Sequence, residues 1–254
     1  MFINNINPIL VSIGPLSIRY YGLVYALGFL MGYFFLRYAV KHKKLKLTED
    51  QVDIYIIWLI IGSILMARLF EVFIYNLPQY INNLSEAFRI WDGGLSFQGG
   101  IVGAIIVTTI FCKKYKIQFY DIADLLVIPT TLTLFFGKLA NYTNSELYGK
   151  ITTVPWCVVF EKVDNYCRHP TQIYEAITVL ILLGILLANY NYNKKSKKGT
   201  TFWIFILGYS ILRFAITFLR DEPQYAGLNV GQWLSIITII VAGIFLWKTK
   251  PKSI

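Results

Sequence analysis

The sequence predicts an all-α, polytopic integral membrane protein with about seven transmembrane helices, its N-terminus outside and its C-terminus cytoplasmic. Three observations support this fold class: an apolar composition, seven long hydrophobic segments, and basic clusters after alternate segments. Of the 254 residues, 56% are hydrophobic and 15% are charged, and the mean hydropathy is +0.54. A soluble domain of this length needs far less apolar surface for its core, so the excess must face lipid.

The seven hydrophobic segments are long enough to cross a bilayer, whose core of about 30 Å takes roughly 20 residues of helix. Windows of about 19 residues place them at 18–39, 52–75, 94–112, 121–140, 171–190, 201–219 and 230–247. The sequence shows no internal repeat and no separable soluble segment. We therefore expect one transmembrane domain covering residues 1–254.

Basic residues give the predicted orientation. The formal net charge is +10, and Lys and Arg concentrate at 37–46, 113–116, 194–198 and 248–252, after the first, third, fifth and seventh segments. Cytoplasmic loops of membrane proteins carry such an excess. Because these residues lie in separate short clusters and not on one folded face, we expect no nucleic-acid partner.

Histidine and cysteine are sparse. His42 and His169 lie in separate loops, and no group of His, Cys and carboxylate residues has the spacing of metal ligands, so we expect no metal site. Cys157 and Cys167 share the long loop at 141–170, which is predicted to be outside. In that oxidising location they either pair or remain free thiols.

Four glycines occur within eight residues at the start of the third segment, in the sequence Gly93-Gly94-Leu95-Ser96-Phe97-Gln98-Gly99-Gly100. Glycine costs a helix roughly 1 kcal/mol per residue, so something must offset its use. One interpretation is a backbone that approaches an anionic head group at a helix N-terminus. The other is a tight turn followed by close packing of helices through small residues.

The fourth segment passes directly into a dense polar stretch, which includes Lys138, Asn141, Asn144 and Glu146. A lysine near a helix end often extends its amine to the interface. The amides and the carboxylate beside it favour a binding site over simple anchoring.

Two arginines lie within hydrophobic segments, Arg68 in the second and Arg213 in the sixth. A charge at such depth costs roughly 2.5 kcal/mol or more, so each is expected to face the bundle interior with a partner. Glu71, one turn away, is a structural partner for Arg68, which leaves a structural and a functional interpretation open. Arg213 has no acidic neighbour in its segment, and phosphate is a suitable partner.

The fifth segment opens with Arg168, His169, Gln172, Tyr174 and Glu175. A helix cap explains Thr171 but not this many polar residues at the edge of lipid. With the orientation assigned from the basic clusters, all of these polar groups fall on the outer side. The sequence therefore predicts an outward-facing polar cavity.

The patterns Gly-Gly-x-Ser-Phe-x-Gly-Gly at 93–100 and Asn-x-x-Asn-x-Glu-x-x-Gly at 141–149 resemble the bacterial prolipoprotein diacylglyceryl transferases. The likeness also includes 168–175 and 209–220 and covers nearly the whole chain. It implies a seven-helix enzyme that moves the diacylglyceryl group of phosphatidylglycerol onto the lipobox cysteine of a prolipoprotein, releasing glycerol phosphate. The implied partners are phosphatidylglycerol, prolipoprotein signal peptides and membrane lipids, with no cofactor.

The resemblance implies a multi-pass protein of the bacterial inner (plasma) membrane, with its active site facing the outer side. Arg213 is then expected to stabilise the phosphate leaving group. Gln98, Lys138 and His169 are the other catalytic candidates. The residues expected to bind phosphatidylglycerol are Tyr21, Arg68, Gly99, Gly100, Lys138, Asn141, Glu146, Gly149, Tyr209 and Arg220.

Three positions depart from the family pattern. Gln98 stands where a histidine is usual, Lys138 where an arginine is usual, and Thr217 where a glutamate is common. Glutamine cannot act as a general base. Either another group accepts the thiol proton, with His169 as the available histidine, or the thiolate forms without a base. A catalytically impaired or inactive member that only binds lipid or lipoprotein is the alternative.

Other classes fit the residues less well. A retinal receptor needs a lysine in the last segment, and 230–247 contains none. Alternating-access transporters show repeats and broken helices that this sequence lacks. Metal-dependent head-group enzymes need clustered carboxylates, which the hydrophobic segments do not supply.

Overall fold

The computed structural model describes residues 2–13, 16–192 and 197–249. Within them, seven helices are long and apolar enough to cross a membrane, which confirms the predicted number. They are α1 (Tyr20–Lys41), α2 (Glu49–Phe70), α4 (Phe97–Tyr115), α5 (Phe119–Thr143), α6 (Thr171–Tyr192), α7 (Thr200–Thr217) and α8 (Val230–Thr249), with a short α3 (Leu77–Asn82) after α2. The predicted segments match these bounds to within a few residues.

Four basic residues of the predicted cytoplasmic clusters, Lys194, Lys195, Lys250 and Lys252, lie outside the described residues. The described chain forms two compact units, Met1–Gly32 with Ala123–Ile254, and Tyr33–Ile122. Helices α1 and α5 each continue from one unit into the other. That the whole chain acts as one transmembrane domain remains a prediction.

Side-chain caps define several helix starts. Thr48 and Gln51 form a reciprocal capping box at the start of α2, and the Ser96 hydroxyl accepts the N–H of Gly99 at the start of α4. The carboxylate of Asp124 accepts the backbone N–H groups of Gly199 and Phe202 at 2.6 and 2.7 Å. This bond pair satisfies free N–H groups of α7 and ties its start to α5.

Within the Tyr33–Ile122 unit, α2 and α4 pack closely through glycine. A Cβ added to Gly103 would lie 2.5 Å from the Gly62 carbonyl oxygen, and one added to Gly99 would lie 2.4 Å from the Met66 carbonyl oxygen. Small residues allow this approach of two helix backbones in lipid. The buried Tyr55 and Thr108 hydroxyls add a hydrogen bond of 2.8 Å across the same interface.

After α2 the chain continues through a π-helical turn, Glu71–Tyr75, then α3 and two short 3-10 turns, Leu84–Phe88 and Ile90–Asp92. This irregular segment presents several exposed apolar side chains, among them Ile81, Phe88 and Trp91. The hydropathy pattern placed the end of the second segment correctly but gave no sign of the turns that follow it.

The other unit adds small sheets to its helices. Strand β1 (Phe2–Asn4) pairs in parallel with β4 (Val158–Phe160), which pairs with β5 (Cys167–Arg168) in antiparallel fashion. Strands β2 (Ile9–Ile13) and β3 (Leu16–Arg19) form a separate hairpin. These strands were not predicted, because two to five residues give too short a pattern beside seven long helices.

Substitution of Gly103 tests the packing of α2 on α4. We expect Gly103→Val to destabilise the protein by about 1–3 kcal/mol, because the new side chain overlaps the Gly62 backbone. Thermal unfolding in detergent would measure the change. The matched control is Gly100→Ala, where the added Cβ would meet its nearest neighbour at 3.9 Å. Equal unfolding temperatures for the two variants would contradict the packing argument.

Candidate active site

Three chain segments of the Met1–Gly32 and Ala123–Ile254 unit meet at Gly149. The Gly149 N–H donates to the His169 carbonyl at 2.9 Å, and the Lys150 N–H donates to the Leu219 carbonyl at 2.8 Å. A Cβ added to Gly149 would lie 2.6 Å from the His169 Cβ and 2.7 Å from the Leu219 carbonyl oxygen. Glycine therefore lets the loop after α5 lie against the start of α6 and the end of α7.

A buried network of charges lies beside this junction. Glu175, on the first turns of α6, forms an ion pair with Lys138 of α5 and a second, at 3.4 Å, with Arg220 after α7. Arg220 also pairs with Glu222 at 3.0 Å. Lys138, Glu175 and Arg220 are each at most 7% exposed. Buried charges persist only when paired, so Glu175 keeps both cations in place.

Arg213 contributes a further cation close to Glu175. A small cavity between α6 and α7 is lined by Glu175, Thr178, Val179, Tyr209, Leu212, Arg213 and Ile216. In the part of the chain that the structure describes, Arg213 takes part in no salt bridge. A guanidinium without a carboxylate partner, beside a cavity in a membrane-spanning helix, is suited to an anionic ligand.

Polar atoms without a protein partner surround the end of α5. Among the described residues, Asn141 Oδ1, Ser145 Oγ, Gln172 Oε1 and Arg220 Nε are buried and accept or donate no hydrogen bond. Gln172 uses its amide N–H to donate to the Glu146 carbonyl at 2.6 Å, which holds the loop to α6. Buried polar atoms normally have partners, so these atoms favour a polar ligand at this place.

The loop between α5 and α6 is held by a disulfide and an ion-pair cluster. Cys157 and Cys167 are joined, with Cα atoms 5.4 Å apart, which settles the pairing that the sequence left open. Arg168 donates to Asp164 and, at 2.8 Å, to Asp221. The hydrogen bond from Arg168 holds the pKa of Asp164 below its usual value. These bonds fix the residue that precedes His169.

His169 lies just before α6 and is half-buried. Its Nδ1 is 3.2 Å from the Tyr174 hydroxyl, and that hydroxyl oxygen accepts the indole N–H of Trp156 at 2.7 Å. Partial burial lowers the pKa of His169 from its ordinary value of 6.5. The imidazole is therefore mainly neutral at pH 7, which a proton acceptor requires.

Comparison with known proteins decides the family. The family model described as prolipoprotein diacylglyceryl transferase matches residues 8–248. Similar proteins include the phosphatidylglycerol–prolipoprotein diacylglyceryl transferases of Rickettsia felis, 35% identical over 98% of both chains, and of Legionella pneumophila strain Lens, 36% identical over 97% of this chain and 98% of that one. The chain belongs to the prolipoprotein diacylglyceryl transferase family. This confirms the resemblance found in the motifs and favours neither a transporter nor a receptor.

Membership of this bacterial transferase family, together with seven helices able to span a membrane, makes the chain a multi-pass protein of the inner membrane. The substitutions relative to the family pattern have visible consequences in the structure. Lys138 keeps a buried positive charge through its pair with Glu175. Thr217 is buried and donates its hydroxyl to the Arg213 carbonyl, so this position supplies no carboxylate to Arg213.

Four predicted site residues, Arg68, Gln98, Gly99 and Gly100, lie in the other compact unit, Tyr33–Ile122. The Gln98 side chain is exposed at the start of α4 and accepts the Ser96 hydroxyl at 3.3 Å. Gly99 packs against the backbone of α2, as the small-residue interpretation predicts, whereas a Cβ on Gly100 would make only an ordinary van der Waals contact with Ala67 at 3.9 Å. Their roles in substrate binding remain predictions.

Arg68 is bound by backbone carbonyl groups and not by Glu71. Its guanidinium donates to the carbonyls of Gly93 and Gly94 at 2.8 and 2.7 Å, and also to those of Glu86 and Ala87. Gly93 and Gly94 both have positive φ, at 100° and 71°. These glycines permit a turn that aims carbonyl groups at Arg68. The contacts give Arg68 a structural role, fixing the segment that leads into α4.

The remaining predicted residues lie in the unit that holds the charge network. Asn141 and Gly149 are buried in it, Glu146 is exposed and accepts the Asn144 amide at 3.2 Å, and Tyr209 lines the cavity beside Arg213. Tyr21, half-buried near the start of α1, contacts Tyr25 with ring centres 5.1 Å apart and the ring planes tilted by 57°. Among the described residues, no group of three His, Cys, Asp or Glu side chains has a metal-binding arrangement.

Glu175 was predicted to lie in the polar cavity but was given no role in catalysis or substrate binding. Its carboxylate is nevertheless the common partner of Lys138 and Arg220 and also lines the cavity of Arg213. The sequence did contain one indication of this role. An acid in the first turns of an otherwise apolar helix indicates a buried partner of opposite charge. The identity of that partner depended on α5 and the end of α7, which are distant in sequence.

Proposed function

We propose that this protein transfers the diacylglyceryl group of phosphatidylglycerol to the thiol of a prolipoprotein lipobox cysteine. A carbon–sulfur thioether bond forms, the bond between the glyceryl carbon and the phosphate oxygen breaks, and glycerol phosphate leaves. Two observations together support this function best: the family match over residues 8–248, and a small cavity lined by Arg213, which forms no salt bridge among the described residues. A phosphate ester supplies the missing negative charge.

Arg213 is the residue proposed to hold the phosphate and stabilise charge on the leaving oxygen. Its guanidinium packs over the start of α8, where a Cβ on Gly231 would come within 3.3 Å of Nη2. A fixed guanidinium presents paired N–H donors that match phosphate oxygens. In a site shielded from water, such a donor stabilises developing charge far more than it does in bulk solvent.

The head group is proposed to lie against the unpartnered atoms at the end of α5. Asn141 Oδ1 and Gln172 Oε1 are acceptors that suit glycerol hydroxyl groups. Lys138 and Arg220 supply positive charge on the same side, and Glu146, Gly149, Tyr21 and Tyr209 complete the predicted pocket. Burial of each unpartnered oxygen costs about 1–3 kcal/mol, which a hydroxyl donor from the head group would offset.

His169 is the proposed acceptor of the thiol proton, because Gln98 has no basic atom. A thiol of pKa near 8.5 is mostly protonated at neutral pH, and removal of the proton creates the nucleophile. Tyr174 and Trp156 restrain the ring through the hydrogen bonds at its Nδ1 side. The position outside the membrane-spanning part of α6 suits a thiol that arrives on a translocated signal peptide.

The site is proposed to face the outer side, with the N-terminus outside and the C-terminus cytoplasmic. The basic residues at 41–46 and at 197–198 follow α1 and α6, at the helix ends opposite to Tyr21 and Glu175. A disulfide in the loop between α5 and α6 agrees with an oxidising compartment on that side. Phosphatidylglycerol and the signal peptide would then both approach through the bilayer.

The transfer reaction can be measured with purified protein, phosphatidylglycerol and a lipobox peptide. We expect a diacylglyceryl mass increment on the peptide cysteine, its loss by at least about 100-fold in Arg213→Ala, and its retention in Lys138→Arg. Lys46→Ala removes an exposed charge and serves as the control. Normal thioether formation by folded Arg213→Ala would exclude the phosphate role, and no product from the wild type would exclude the proposed function.

If His169 accepts the proton, the pH–rate profile has an acid limb, in which activity falls as pH decreases. Because burial lowers the pKa of His169 below 6.5, activity should hold at pH 7 and fall as pH drops through that lowered value, where the ring becomes protonated. His169→Gln should lower the rate and abolish this limb. His42→Gln, the change at the other histidine, should leave the profile unaltered. An unchanged acid limb in His169→Gln would assign the proton to another group.

The disulfide and the orientation can be tested together in intact cells. We expect Cys157 and Cys167 to resist a membrane-impermeant maleimide until a reductant is added, and then to react from outside. Cys112 is buried in α4, near the end of that helix at Tyr115. It is the internal control and should stay unlabelled. Mass spectrometry of the labelled peptides gives the result. Labelling of the loop cysteines only after the membrane is opened would reverse the orientation.

A further inference from the structure

Glu175 holds an unusual position for an acid in a membrane protein. It is 5% exposed, lies in the first turns of α6, and contacts cations from two other chain segments, Lys138 and Arg220. The same carboxylate borders the cavity that Arg213 lines. A single acid therefore acts on every buried cation of the proposed phosphate site.

The charges around this acid do not cancel. The Glu175 cluster, defined as Lys138, Glu175, Arg213, Arg220 and Glu222, contains three cations and two carboxylates. Through these ion pairs the cluster carries one net positive charge. Glu146, at the head-group end of the pocket, is exposed to solvent and, among the described residues, forms no salt bridge with a member of the cluster. Arg168, Asp164 and Asp221 form a separate group, because both carboxylates pair with Arg168 and neither pairs with a cation of the cluster in the described residues.

We propose that Glu175 is a positioning residue that sets this charge so that the phosphodiester substrate binds and the phosphomonoester product leaves. The inference rests on the proposed function. Phosphatidylglycerol is a phosphodiester with one negative charge, which the cluster balances. The glycerol phosphate released after the carbon–oxygen bond breaks is a monoester with a second pKa near 6, so it carries nearly two negative charges at pH 7.

A second negative charge on the product has no counterpart in the cluster. In a site with little water, an uncompensated charge is costly, so the product is held less tightly than a monoanion of the same shape. Without Glu175, the cluster would carry two positive charges and would match the dianion. Product release would then become slow, while binding of substrate would improve.

The variant Glu175→Gln tests this directly, because glutamine has nearly the same shape and no charge. We expect inhibition by glycerol phosphate to tighten by about tenfold or more, as an added positive charge acts through a low effective dielectric. We also expect KM for phosphatidylglycerol and kcat both to fall. Glu161→Gln removes an exposed acid of the loop and should change none of these. A merely structural role would lower kcat without tightening inhibition, and that result would overturn the proposal.

A comparison of two anions tests the proposal in the unaltered protein, independent of whether any variant folds. Thermal-shift titrations would compare glycerol phosphate with its methyl phosphodiester, which has the same core and one charge. We expect the diester to bind the wild type more tightly at pH 7 and the order to reverse in Glu175→Gln. Equal or tighter binding of glycerol phosphate by the wild type would overturn the proposal. Failure of thioether formation would instead overturn the proposed function, since these titrations require no turnover.

Discussion

The buried ion pairs of Glu175 are the constraint on which the site depends. One carboxylate holds Lys138 from α5 and Arg220 from the segment after α7, although the three residues are far apart in the chain. Removing one partner of such a pair leaves a buried charge at a cost of about 3–5 kcal/mol. The ends of α5, α6 and α7 are therefore fixed relative to one another by charge, in a protein whose helices gain little from hydrophobic contact within lipid.

Backbone contacts reinforce this constraint at Gly149. The loop after α5 forms hydrogen bonds with His169 and with the end of α7, and the space at Gly149 admits no side chain. The disulfide and the Arg168 ion pairs hold the remainder of the loop. Polar atoms such as Asn141 Oδ1 are thereby kept buried without a protein partner, an arrangement that a flexible loop would relax.

The departures from the family pattern redistribute charge and proton transfer. Lysine at 138 retains the charge but presents a single ammonium, and threonine at 217 leaves Arg213 without a carboxylate in its own helix. With both changes, the charge balance of the site depends more on the Glu175 carboxylate. With glutamine at 98, His169 is the proposed proton acceptor, and its lowered pKa and contact with Tyr174 suit a neutral acceptor.

The sequence by itself determined the seven helices, because each needs about 20 apolar residues to cross a bilayer and such runs are local. Short motifs in the sequence also identified the family and most of the polar residues of the site. Only the tertiary structure decided which charges meet. Arg68 binds carbonyl groups instead of Glu71, Gly99 packs on α2, and Glu175 joins Lys138 to Arg220. The contacting residues are 18 to 45 positions apart in the sequence. Hydropathy contains no information about contacts between such distant segments.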